Sequence, residues 1–315
     1  MPDREEWADG SKKRMIVEQR RFLWSEGQVQ RLASAMGLCQ GMTVADIGCG
    51  QGYLGWTYWR FYGKDGTYFG ADCSAKLLDE AAELAGDWAK GGSAVFTCGD
   101  CYGLPLPDGC ADVSMCQTLL MHLEFPERAL GEMIRITRPG GTVMCKEPDN
   151  VSSFLKKGYS SVFDLSVDDM LFHRKMMLIW AEGTRRLGMG DWGIGSKLPG
   201  MMYEAGLAGI EGFCNERLDF LQPPYDTPLQ QSRLETLRKN HERRDEETPE
   251  RKREFRERYL AGGGSMSSFY RNYGRLLKLF GEDPCGEMLD RFEKGDLVTA
   301  SGGSTFFCVM GRKPG

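Results

Sequence analysis

Apolar residues recur at helical spacing through MIVEQRRFLWSEGQVQRLASAM, which predicts a helix over residues 11–37 closed by Gly37. A short apolar run, MTVADIG (42–48), then predicts a strand. GTYFGAD (66–72), SAVFTCGD (93–100), CADVSMCQ (110–117) and TVMCKEPD (142–149) predict four more. Helical stretches separate them: residues 53–63, rich in aromatic side chains, SAKLLDEAAELAGDWAK (74–90), with Ser74 as N-cap, and PERALGEMIRITRPGG (126–141), ended by Pro-Gly-Gly. Beyond Glu147 the pattern loosens. Residues 150–190 and 198–206 read as helical and GIEGFCNERLDF (209–220) as a sixth strand. Residues 226–295 read as charged helices interrupted at AGGGS (261–265), and STFFCVMGR (304–312) as a last strand.

Strands alternating with helices from residue 42 to 149 predict an α/β fold, a parallel sheet with helices on both faces. On such sheets ligands lie at the carboxyl ends of the strands, at the topological switch point. Asp46, Asp72, Asp100, Gln117 and Glu147 each close one of the five strands, so together they describe a pocket along one edge.

Composition adds limits more than chemistry. The 315 residues suffice for one large domain with insertions or two modest domains. A net charge of −5 and a pI near 5.5 give no general affinity for nucleic acid or an anionic membrane. The N-terminus is charged throughout, with no apolar h-region, and no window approaches the roughly 18 apolar residues of a membrane span. Eleven cysteines, an odd number in a chain of this size, are read as reduced thiols of a cytoplasmic protein.

The chemistry concentrates in DIGCGQG, residues 46–52, where Gly48, Gly50 and Gly52 follow the first strand. A phosphate-cradling loop would need Lys-Ser/Thr after its glycines, and none follows. A dinucleotide fingerprint would put its third glycine at position 53, which is Tyr53. That disfavours a nicotinamide oxidoreductase. Asp46, two residues ahead of the first glycine, suits a cationic ligand, and bare backbone lets a ligand lie close to the chain. S-adenosylmethionine carries a sulfonium and an ammonium and no phosphate.

On these residues the chain resembles the class I S-adenosylmethionine-dependent methyltransferases. DIGCGQG resembles their first motif, with Asp46, Gly48, Cys49, Gly50 and Gly52 about the cofactor. Asp72, followed by Cys73, stands where the family holds the ribose hydroxyls, and Asp100, followed by Cys101, where it meets the adenine. Gln117 and the following LLMHL stand beside the methionyl part, and RPGGTVMCKEPD leads into the fifth strand. The cysteines are placed there through their backbones, with no thiol chemistry. The resemblance covers residues 15–150 well and LPGMMYEAGLAGIE (198–211) more loosely. It implies a Rossmann-like, doubly wound, seven-stranded sheet with its last strand antiparallel. The domain division that follows is an N-terminal helical cap (1–40), a core (41–220 and 300–315) and a helical insertion (221–299) that emerges over the pocket as a lid.

The implied activity is methyl transfer to an O, N, S or C nucleophile, with no metal. His122, just past the fourth strand, is a candidate general base. Glu147 is a candidate for orienting the acceptor. A small-molecule acceptor comes first, since helices cover the pocket and nothing in the chain reads as a nucleic-acid module or a membrane anchor. A peptide or protein acceptor is the alternative, and so is a non-catalytic protein that keeps the cofactor pocket as a sensor.

Overall fold

The strands that build the sheet carry apolar side chains on both sides, as strands covered by helices on both faces must. The structure is a computed structural model that describes residues 24–155, 159–215, 220–300 and 305–315. Most of the first predicted helix, residues 11–23, and the end of the predicted sixth strand, 216–219, lie outside the described residues.

The chain enters through α1 (Glu26–Met36), which starts where the Ser25 hydroxyl accepts the Gln28 N–H and stops at Gly37 in the left-handed region. Trp24 and Ser25 are not helical, so the long periodic run does not cross them: Ser25 is extended and spends its side chain on starting α1. Next come β1 (Thr43–Ile47), α2 (Tyr53–Tyr62), β2 (Thr67–Asp72), α3 (Ala75–Trp88, capped by Ser74), β3 (Ser93–Cys98) and β4 (Ala111–Gln117). A 3-10 turn (Leu120–His122), α4 (Pro126–Ile136) and β5 (Thr137–Asp149) follow. The remainder is α5 (Asn150–Leu155), α6 (Val167–Arg186), α7 (Leu198–Glu204), β6 (Ala208–Cys214), α8 (Pro228–Glu242), α9 (Arg244–Ala261), α10 (Met266–Phe280), α11 (Pro284–Glu293) and β7 (Thr305–Arg312).

One prediction needs correction here. Thr137-Arg138-Pro139-Gly140-Gly141 does not end α4 but opens β5: Ala111 pairs with Thr137, whose hydroxyl reaches Ser114 Oγ and the Met133 carbonyl. Those partners come from a neighbouring strand, which local turn chemistry does not register.

The sheet order is β3-β2-β1-β4-β5-β7-β6. The pairings from β3 to β5 are parallel, and β7 runs antiparallel between β5 and β6. The order reverses between β1 and β4, and ligands of open α/β sheets bind at such a point. Alternation sorts the core into two layers. Ala45, Ile47, Cys116, Val143 and Cys145 pack towards α4 and α7, while Val44, Tyr68, Met115, Met144 and Cys308 pack towards α1 and α2.

Between β6 and β7 four helices form a separate mass. Its two chain ends are tied together where Leu221 and Thr299 exchange backbone hydrogen bonds of 2.8 and 2.9 Å. One small core joins Leu221, Tyr225, Leu234 and Leu297. Another, of Met176, Tyr259 and Phe269, fixes α9 and α10 to α6. There α6 and α9 touch backbone to backbone, because a Cβ on Gly183 would overlap the Arg258 carbonyl. Among the described residues no helix is long and apolar enough to cross a membrane.

Candidate functional site

The turn after β1 is built from backbone that only glycine adopts easily. Gly48, Gly50 and Gly52 have φ of 68°, 53° and 76°. The N–H groups of Gly48 and Cys49 both reach the Ala71 carbonyl, at 2.8 and 3.1 Å. A Cβ on Gly48 would stand 2.8 Å from Leu119. Asp72 braces the loop from β2: one oxygen accepts the Gly50 N–H and the other the Ser74 N–H, each at 2.9 Å. A charged acceptor so placed holds both the loop and the start of α3. Asp46 is buried, and its carboxylate accepts the Tyr68 hydroxyl at 2.8 Å. The loop opens on a cavity lined by Asp46, Gly48, Cys49, Tyr53, Leu54 and Gln117.

Gln117, at the end of β4, forms the far wall. It is 5% exposed and its Oε1 accepts the Trp24 indole N–H at 3.2 Å. Its Nε2 is buried and meets no hydrogen-bond partner among the described residues. A buried amide donor left over in this way costs stability and marks a place where a ligand or water acceptor belongs. Thr118 follows with φ of 52°, a strained conformation for a β-branched residue, held by its N–H on the Lys146 carbonyl. Lys146 is the register partner of Gln117 on β5 and is fully buried. Its Nζ lies 3.2 Å from the centre of the Trp24 ring, and burial pushes its pKa down to about 7.

The other predicted residues are distributed around this centre. Glu147 faces the opposite side of the sheet from Lys146 and does not line the cavity. It is fully buried. Its Oε1 accepts the N–H groups of Leu119 and Leu120 at 2.9 Å each, and its Oε2 that of Met121 at 3.3 Å. Burial raises its pKa to about 7 against those bonds. Glu147 therefore fixes the 3-10 turn whose last residue is His122, half-buried with its backbone N–H on Leu119. Asp100 is exposed and accepts the Tyr102 N–H at 3.0 Å. Burial raises the thiol pKa of Cys49 far above its ordinary value and that of Cys101 to about 12, while Cys73 is exposed. Neither raised value favours a thiolate nucleophile. Among the described residues no group of three His, Cys, Asp or Glu side chains is placed to hold a metal ion.

Residues 45–145 match the family described as methyltransferase domain. The chain carries a class I S-adenosylmethionine-dependent methyltransferase domain. The domain is 36% identical over 115 residues to an uncharacterised methyltransferase of Schizosaccharomyces pombe, covering 35% of this chain and 41% of that one. It is also 36% identical over 114 residues to the malonyl-[acyl-carrier protein] O-methyltransferase of Pectobacterium atrosepticum, covering 36% and 42%. The chain thus spans about two fifths of the length of these curated relatives. The fold is shared with a chain of the complex between the Haloferax volcanii Trm112 methyltransferase activator and a methyltransferase. That match has a TM-score of 0.50 and 18% identity, over 100% of this chain and 99% of the other. Leu54, Trp24 and Lys146 were not singled out from the sequence, and Tyr53 only as the residue that breaks a dinucleotide fingerprint. The one signal was Lys146 itself, a charge inside a strand predicted to be covered on both faces.

Proposed function

We propose that the chain is an S-adenosylmethionine-dependent methyltransferase acting on a small-molecule acceptor. The observation that carries this reading is the unsatisfied Gln117 amide, which lines the same cavity as Asp46 and the left-handed glycine loop. The residues present fit the cofactor: Asp46 supplies a carboxylate for an ammonium, Gln117 a buried donor, and Asp72 a carboxylate held against the loop. When bound, the cofactor supplies a methyl group already carried on a positively charged sulfur.

The protein's part is positional. The glycine loop brings backbone close to the ligand, and the aromatic layer of Trp24, Tyr58 and Tyr68 keeps that side of the pocket dry. Glu147 acts through the turn it holds, and His122 is the candidate for receiving the acceptor's proton. A small acceptor is supported by the cover over the strand ends. The Asp191 N–H reaches the Met121 carbonyl, and the Asn150 N–H reaches that of Trp192, which meets Trp180 of α6 edge to face. A relative named for O-methylation supports an oxygen nucleophile among the possible acceptor atoms.

Calorimetric titration with S-adenosylhomocysteine, alongside NAD, tests the cofactor. Micromolar binding of the first and none of the second is the expected outcome. A folded protein that binds neither sinks the reading. Once an acceptor is found, His122→Ala should leave S-adenosylhomocysteine affinity unchanged and lower turnover by about a hundredfold or more. Unchanged turnover would remove His122 as the base.

A further inference from the structure

Helix α10 carries more apolar surface than its packing uses. Phe269 is buried against Met176 of α6 and Tyr259 of α9, with Tyr273 and Leu276 beside it. Phe280 rests on Phe163 and His173, and Arg275 is held by Asp169 at 2.6 Å and lies over the Phe172 ring. That inner side fixes the helix. Met266, Tyr270 and Leu277 stand on another side, 45%, 54% and 37% exposed. Their spacing, i, i+4 and i+11, puts them within about 40° of one another around the helix. They form one stripe, which single scattered surface residues do not.

Cations flank this stripe on both sides. Arg271 and Lys278 are exposed about a quarter-turn beyond Tyr270. Neither has an ion-pair partner among the described residues. Gly274 lies between the stripe and these cations, with open space where a Cβ would be, so at mid-helix no side chain separates them. On the other flank Lys252 of α9 lies over the Tyr273 ring at 5.0 Å. From Arg258 to Gly281 the sequence holds four cations and no acid. The chain as a whole has a net charge of −5, so this positive character is local. Val167, Leu171 and Leu178 of α6 are exposed too, but Asp168 and Lys175 stand beside them with opposite charges, which match no single surface.

The complement of a projecting apolar stripe between cations is a layer that is apolar below and anionic above. A bilayer needs no groove to take one convex helix face, and its phosphates lie within reach of side chains as long as Arg and Lys. We propose that α10 is a membrane-surface contact, lying in the headgroup layer of an anionic bilayer. Met266 and Leu277 enter the acyl boundary, the Tyr270 ring sits at headgroup level, and Arg271 and Lys278 meet lipid phosphates. The contact is peripheral, and it does not depend on what the pocket binds.

Flotation of the full chain with lipid vesicles tests this. One set of vesicles is phosphatidylcholine alone, and the other is phosphatidylcholine with an equal part of phosphatidylglycerol. At low salt the chain should float with the anionic vesicles and not with the neutral ones. It should be released at about 1 M salt, where charges are screened within about 3 Å. Arg271→Glu with Lys278→Glu should weaken binding about tenfold or more, since each cation at the surface is worth about fivefold. Leu277→Ser should weaken it about tenfold. Gly274→Leu, which widens the stripe into open space, should strengthen it. All these positions lie on the outer side of α10, and an unchanged melting temperature shows that each variant is folded. A wild-type chain that does not float with anionic vesicles, or binding that survives the charge reversal, overturns the proposal. So does a dimer in sedimentation that Leu277→Ser disperses, which would give the stripe to a second copy of the chain.

Discussion

Lys146 and Glu147 are chain neighbours on opposite faces of β5, and burial moves both towards the same pH from opposite sides. Lys146 falls from its ordinary 10.5 to about 7 in the folded chain, so the unfolded chain binds more protons between those values. Its contribution to stability is complete above 10.5 and is lost as pH falls through 7. Glu147 rises from 4.5 to about 7, so the folded chain binds more protons in that interval. Its contribution is complete below 4.5 and is lost as pH rises through 7. In a series of melting temperatures against pH, Glu147→Gln should remove the falling limb between 4.5 and about 7, and Lys146→Met the rising limb between about 7 and 10.5. Unchanged limbs in both variants would remove these two groups as the source.

At the scale of elements, what could be read from the sequence was what neighbours along the chain decide. Ser74 starts α3 with its own hydroxyl, Gly37 ends α1 in the left-handed region, and Ser265 starts α10 after the glycine break. The polar ends of β1, β2 and β4 also follow from alternation within each strand. What depends on distant partners was not legible. Thr137–Gly141 opens a strand because β4 is beside it. Trp24 matters because Gln117, 93 positions away, takes its N–H. Glu147 looked like a pocket residue from its place at a strand end, whereas the face it occupies gives it the backbone of the next turn. The contact of α6 with α9 is equally non-local, and it makes a prediction. Gly183→Ala puts a methyl group into the Arg258 carbonyl and should cost about 1–3 kcal/mol by forcing the helices apart. Limited proteolysis should then cut faster within residues 226–298, while S-adenosylhomocysteine still binds. Unchanged cutting would mean that the helices separate without cost.

The whole molecule is a sheet with a helical mass hung from it by the Leu221–Thr299 neck, and the two have partly separate cores. We infer that the mass acts as a lid through α6, whose Met176 and Trp180 join its packing to the cover over the strand ends. Ligand should stabilise the part that holds it. S-adenosylhomocysteine at about a hundred times its dissociation constant adds about 2.7 kcal/mol to the state that binds it. A thermal melt followed by near-ultraviolet and far-ultraviolet signals should show the sheet's transition rising by several degrees. The insertion should follow only as far as α6 couples it. If every signal moves together, lid and sheet are a single cooperative unit.

The position of β7 between β5 and β6 has a consequence for synthesis. A ribosome makes β1 to β5 and then some 150 further residues before it delivers the strand that joins β6 to the rest. Until residue 312 has cleared the exit tunnel, the nascent chain carries an open β5 edge, a ready template for pairing with another chain. The insertion is made during that wait. It has its own small cores, so it can fold and crowd the edge before β7 arrives. Codon changes that slow translation across residues 221–299 should therefore alter soluble yield more than the same changes placed upstream of β1.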